Sequence, residues 1–249
     1  MIEVAIIGGS GLTSLENLAI ERRQVFRTPY GEPSGPMVFG RLGGVEVAFL
    51  PRHGPMHTIP PHKVNYRANI WALREAGVER VIAVAAVGAI SDALEPGSLL
   101  IPDQILDYTH GREHTFFDGG DKEVTHVDFT EPYDAGLRGR LLEAARRAKI
   151  AVTERGTYGA TQGPRFETAA EIRRMERDGA DVVGMTGMPE AGLAREAGLR
   201  YAAINVVVNK AAGKEARPIS LEEIEQHLAA GMATVRRLLE HVIPLVAGG

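Results

Sequence analysis

The chain has 249 residues, 44% of them hydrophobic and 24% charged, with a formal net charge of −4. That length can bury a core without staples, and the absence of cysteine excludes disulfides, thiolate metal sites and a cysteine nucleophile. No basic excess points to nucleic acid or an anionic membrane surface as partner.

Residues 4–7 read as a first strand that runs straight into a glycine turn. We therefore expect no signal peptide, since no basic start, apolar run and small-residue cleavage site come first. Further strand-like apolar runs occupy 45–50, 81–87, 98–101, 181–183 and 201–208. Helical spacing marks 65–76 (stopped by Gly77), 134–148, 168–177, 189–197 and 220–239. Ser220 stands as N-cap of the last, with Glu223 at the capping-box position. The most apolar stretch, 81–90, is too short and too glycine-interrupted to span a bilayer. Strand and helix alternate throughout, so the class is α/β, with residues 1–249 as one domain. The segment 107–133 lacks periodicity, and a loop of that length in a compact domain is usually functional or part of an interface.

Five segments carry groups that chemistry uses. Gly8-Gly9-Ser10-Gly11 follows the first strand and can cradle an anion with backbone N–H groups and a hydroxyl. A dinucleotide fingerprint would need a third glycine where Ser14 stands and an acidic residue closing a second strand. A plain tight turn stays open as the alternative. Arg52 and His53 follow the strand at 45–50, at the strand end where α/β sheets bind ligands, and the arginine fork matches phosphate. Three histidines, His53, His57 and His62, are of a type that binds zinc, but Arg52 and Lys63 beside them repel a cation, so no metal is expected. His110 and His114 lack the His-Glu-x-x-His pattern and read as solvated. In Thr161-Gln162-Gly163-Pro164-Arg165-Phe166-Glu167, Phe166 can pack on a base face and Glu167 can accept from a ring N–H. The alternative for Glu167 is a charge at a helix start. Thr186 opens a helix beside Met185, another anion-friendly position, although Met185 alone reads as core. Asn209 ends an apolar strand, where an Asn is often only a turn former.

Together and in this order, the segments 6–12, 52–54, 63–73, 163–166 and 185–190 resemble the methylthioadenosine phosphorylase branch of the trimeric purine nucleoside phosphorylases. The likeness covers nearly the whole chain. It implies one α/β domain with a central mixed sheet, a homotrimer, and active sites near subunit contacts. It implies that Ser10, Arg52, His53 and Thr186 hold phosphate, that Ala85 and Ala86 lend backbone groups beside it, and that Met185 packs beneath the ribose. Ala85 departs from the hydroxyl or amide side chain often found there, which implies one phosphate contact fewer. No metal or organic cofactor is implied, phosphate being a co-substrate.

The base pocket departs further. Adenine-selective members carry Asp where Asn209 and Ala211 stand and Ser where Glu167 stands. Glu and Asn are the pattern of the inosine- and guanosine-cleaving enzymes. Hypoxanthine presents O6 as acceptor and N1–H as donor, so Asn209 can donate to O6 while Glu167 accepts from N1–H. Mispairing such a buried group costs ~1–3 kcal/mol. Asn209, Glu167 and His53 are the candidate catalytic residues. At the 5′ end the histidine of those enzymes is replaced by an apolar wall of Leu221 and Ile224. His126 matches a position that reaches into the neighbouring subunit's pocket. This combination resembles the bacterial methylthioinosine phosphorylases. It implies phosphorolysis of S-methyl-5′-thioinosine to hypoxanthine and 5-methylthioribose 1-phosphate in the cytoplasm. The rivals are a general 6-oxopurine nucleoside phosphorylase, a methylthioadenosine phosphorylase, a non-catalytic nucleoside-binding protein and a nucleotide-dependent oxidoreductase.

Overall fold

A computed structural model describes residues 2–12, 14–120 and 123–247. The first strand, β1 (Val4–Gly8), is buried along its length. It lies between two parallel neighbours, β4 (Val45–Pro51) and β5 (Arg80–Ala89). A parallel strand covered on both faces reads as a continuous apolar run, which is the form of Val4-Ala5-Ile6-Ile7. On the other edge of β5 lies β10 (Arg200–Lys210), also parallel. A second parallel group comprises β7 (Gln104–Asp107), β8 (Thr157–Ala160) and β9 (Val182–Gly184). The two groups run head-on and join where β5 pairs antiparallel with β9 at Gly88–Val183 and Ala89–Val182. The sheet is finished by the antiparallel strands β2 (Ala19–Gln24), β3 (Met37–Leu42) and β6 (Leu99–Leu100). It is a central mixed sheet.

Alternate residues of the central strands face different helix layers, as the two-residue strand period requires. Ile6, Ile82, Val84 and Ile204 share a core with α2 (Ala135–Arg147) and α5 (Leu221–Val246). Ile7, Val81, Ala83 and Tyr201 share one with α1 (Tyr66–Glu75) and α4 (Gly187–Glu196). Ile172 and Met175 of α3 (Ala169–Asp178) pack with Val183 and Ala211.

Four strands have no counterpart in the expected elements. β2 is exposed at every residue, so no apolar pattern marks it. β7 and β8 have four residues each, too few to establish a period. β3 follows a proline-rich turn region and pairs with both β2 and β4. The last helix runs past residue 239 to Val246 because Val242, Ile243 and Val246 enter the core, and it tolerates Pro244. Ser220 caps it by accepting from the Glu223 backbone N–H, but the Glu223 carboxylate pairs with Arg217. A reciprocal capping box forms instead at Thr168 and Glu171 of α3. Between residues 108 and 133 the described residues form no helix or strand, and residues 121 and 122 of that segment lie outside the described residues. No described helix is long and apolar enough to cross a membrane.

Candidate active site

The head-on meeting of the two strand groups creates the site. One edge of β5 pairs with β1 as far as Ala83 and with β9 from Gly88. Between those two pairings, Ala85, Ala86 and Val87 line a cavity of about 430 Å³, within the usual range for a small-molecule site of about 300–1,000 Å³. The chain just beyond β1 contributes Gly9 and Ser10, that beyond β4 Arg52 and His53, and that beyond β9 Met185 and Thr186. Asn209 and Ala211 enter from the end of β10, and Phe166 and Glu167 from the loop after β8. Carboxyl ends of strands converge here, as at a topological switch point.

At one end of the cavity the groups are buried and tightly bonded. Arg52 donates from Nε and Nη2 to the two carboxylate oxygens of Glu190, at 2.6 and 2.7 Å, and from Nη1 to the Val84 carbonyl at 2.9 Å. The arginine fork therefore grips Glu190 rather than standing open for an anion. A guanidinium has five N–H groups, so one on each Nη remains. Burial alone would lower the Arg52 pKa, but the Glu190 charge and hydrogen bonds outweigh it and hold Arg52 above its ordinary value. Tyr201 donates a further bond to Glu190 at 2.8 Å. The glycine at position 9 has a steric cause: a Cβ there would stand 2.5 Å from the Val84 carbonyl oxygen and 2.9 Å from Arg52 Nη1.

His53 Nδ1 lies 2.8 Å from the Ile59 carbonyl oxygen. That partner assigns the proton to Nδ1 and leaves Nε2 as an acceptor. Burial, then the Arg52 charge, push the His53 pKa down to about 4. Burial also lowers that of His57, whose Nε2 is 3.5 Å from Ser10 Oγ. Thr186 precedes α4, but its backbone N–H and that of Gly187 are taken by the Tyr158 phenol at 3.2 and 3.3 Å. Those two N–H groups are thus already bonded, and Thr186 lines the cavity without them. With Arg52 paired and His53 neutral, this end offers directed donors rather than net positive charge from these two side chains.

The opposite end combines loops with the last residues of β10. Glu167 precedes the α3 cap, and its Oε1 accepts from Thr161 Oγ1 at 2.6 Å. The helix-start role falls to Glu171. Phe166 is 45% exposed on the rim. Gly163 has φ of 59°, and a Cβ there would come within 2.4 Å of Met185 Sδ. Only glycine lets this loop close against Met185. A register shift between Val207 and Asn209 leaves Val208 out of step and sets Asn209 opposite Gly88. Such a bulge re-aims the side chain after it. Asn209 Nδ2 donates to the Lys210 carbonyl at 2.7 Å, leaving one N–H and Oδ1.

The apolar wall differs from the expected one. Ile224 lines the cavity with Ile219 and Leu228. Leu221 does not, being the first residue of α5 and 65% exposed. It stands about one turn beyond Ile224 along the helix axis. His126 is exposed and outside its own chain's cavity. Glu190 was given no role by the sequence. An acid in the apolar run Pro189-Glu190-Ala191-Gly192-Leu193-Ala194 signals a buried charge in need of a partner, but nothing local names Arg52.

A profile described as phosphorylase superfamily matches residues 3–244. The chain is 54% identical over 243 residues to "Probable S-methyl-5'-thioinosine phosphorylase" of Pseudomonas syringae pv. tomato, covering 98% of this chain and 99% of the relative. It is 47% identical over 253 residues to "6-oxopurine nucleoside phosphorylase" of Pyrococcus furiosus, covering 99% and 94%. Among solved structures, methylthioadenosine phosphorylase from Schistosoma mansoni in complex with adenine superposes with a TM-score of 0.96 at 33% identity, covering 100% of this chain and 93% of that one.

Proposed function

The chain belongs to the phosphorylase superfamily, and on that premise we propose that it splits S-methyl-5′-thioinosine with phosphate to give hypoxanthine and 5-methylthioribose 1-phosphate. The observation that carries this is one cavity lined by Glu167 and Asn209 at its base end and by Ile219, Ile224 and Leu228 along an apolar wall. The first pair complements the N1–H and O6 of a 6-oxopurine. The wall suits a methylthio group better than a hydroxyl, because a hydroxyl buried there would lack a partner.

In this mechanism the C1′–N9 bond lengthens first, its electron pair moving onto the purine while C1′ becomes oxocarbenium-like. Phosphate held by Ser10, Arg52, His53 and Thr186, with Ala85 and Ala86 lending backbone groups, stabilises that carbon and then forms the C1′–O bond. This is catalysis by a positioned anion. Neutral His53 accepts the O–H of hydrogen phosphate at Nε2, and that proton is the one the departing hypoxanthine finally carries. Asn209 donates its remaining N–H to O6, a bond that strengthens as negative charge reaches the base, and accepts at Oδ1 from N7 once that atom carries the proton. Phe166 lies against the base beside Ala211, and Met185 packs beneath the ribose. No metal or organic cofactor takes part.

We further propose a cytoplasmic homotrimer in which His126 completes a neighbour's cavity. In support, Val124 and Val127 beside it are exposed apolar residues, the kind of surface an interface covers. A general 6-oxopurine nucleoside phosphorylase is the second reading, favoured by the likeness to the Pyrococcus furiosus protein. The test is kcat/KM for methylthioinosine, methylthioadenosine and inosine, each with phosphate. We expect methylthioinosine to lead both others by about tenfold or more, the scale of one mispaired contact. Equality with inosine would defeat the 5′ assignment, and a lead for methylthioadenosine would defeat the base assignment.

A further inference from the structure

The Glu167 carboxylate is tethered before any base arrives. Thr161, just past the end of β8, donates its hydroxyl proton to Glu167 Oε1 at 2.6 Å, while the Gly184 carbonyl lies farther from that hydroxyl at 3.3 Å. Thr161 is 8% exposed. Its backbone is fixed from two sides. The Thr161 N–H donates to the Gly184 carbonyl at 2.8 Å, and the Thr161 carbonyl accepts from Arg112 Nη2 at 3.1 Å. Arg112 comes from the segment between 108 and 133 and also donates to the Gln162, Met185 and Met188 carbonyls. One buried guanidinium thus ties the Glu167 loop to the chain that carries Met185 and Thr186. A glutamate side chain has several rotatable bonds, and ordering it on binding costs affinity that a pre-formed bond removes.

We propose that Thr161 is a specificity-determining positioning residue. By holding Oε1 of Glu167, its hydroxyl presents Oε2 to an N–H on the pyrimidine edge of the bound base. This rests on the role given to Glu167 under the proposed function. A 6-oxopurine carries that N–H and gains from the fixed acceptor. A 6-aminopurine has a bare ring nitrogen there and gains nothing. Removing the hydroxyl therefore weakens the two substrates unequally, which a purely structural role does not do.

The test compares Thr161→Val and Thr161→Ser with the parent in kcat/KM for methylthioinosine and methylthioadenosine, together with KM for phosphate. Thr161→Val is expected to lower kcat/KM for methylthioinosine by about tenfold, as for one hydrogen bond to a charged group, with methylthioadenosine and phosphate KM little changed. Thr161→Ser keeps the hydroxyl and is expected to keep the parent's selectivity. Equal losses on both nucleosides in Thr161→Val, an unchanged ratio, or a serine variant that behaves like the valine one would each overturn the proposal. A parent that leaves methylthioinosine uncleaved would overturn the proposed function itself, and this role with it, before either variant is measured.

Discussion

The two ends of the cavity are built in different ways. At the anion end, Arg52, His53 and Thr186 are 1%, 7% and 7% exposed, and they stand at or next to the ends of buried strands. Arg52 is locked to Glu190 across 138 positions of sequence. At the base end, Phe166 and Glu167 ride on a loop and Ile219 lies in the chain before α5, all more open to solvent. On the proposed function the anion end presents the same donors to phosphate whatever the nucleoside, and rigid strand ends do that without reorganisation. Choice of base and 5′ group then falls to loop residues such as Glu167 and Ile219, which change without disturbing the sheet, together with Asn209 near the end of β10.

The largest effect that would break this contrast is expected at Glu190. Glu190→Gln removes the charge facing buried Arg52, and breaking one partner of such a pair costs about 3–5 kcal/mol. Urea unfolding measures it; a loss far below that range would mean the anion end is not held by this pair. Next in size is a swap at the base end. Asn209→Asp with Glu167→Ser should move the ratio of methylthioinosine to methylthioadenosine kcat/KM toward adenine by about a hundredfold, two contacts at ~1–3 kcal/mol each. An unchanged ratio would show that these residues do not choose the base. Smaller still, Ile224→His places a polar donor in the apolar wall. It should favour inosine over methylthioinosine by about tenfold relative to the parent, the scale on which a pocket tells such groups apart. Steady-state kinetics with both nucleosides decides it.

The smallest expected signal sharpens the account of His53. Its ring should titrate near the value of about 4 that burial and Arg52 impose, observable in the proton spectrum. The unfolded chain takes up the same proton near 6.5. Between those values the unfolded state holds more protons, so His53 makes stability fall as pH drops from about 6.5 to about 4. A midpoint near 6.5 would show that burial and the Arg52 charge do not hold the ring in its neutral form.

Much of this protein was legible in its sequence. The apolar runs placed β1, β4, β5, β6, β9 and β10 and the periodicity placed α1 to α5, because burial on both faces or on one stripe writes itself into local composition. Ser10, Arg52, His53 and Thr186, at or just past the ends of those strands, and Asn209, near the end of β10, were legible for the same reason: a polar group where an apolar run stops stands out. Tertiary structure alone decided which of them meet what. Sequence left the Arg52 fork open to an anion, and only the fold brings Glu190 to it. Sequence put Leu221 in the apolar wall, whereas the path of the chain into α5 brings Ile219 there, beside Ile224 and Leu228 one turn apart on the helix. Sequence could not tell Glu167 at a helix start from Glu167 at a base, and the Thr161 hydroxyl settled where one of its oxygens goes. Each of these turns on partners in another element or on how a loop folds back. Local composition records whether a side chain is buried, but a contact is a property of two places in the chain at once.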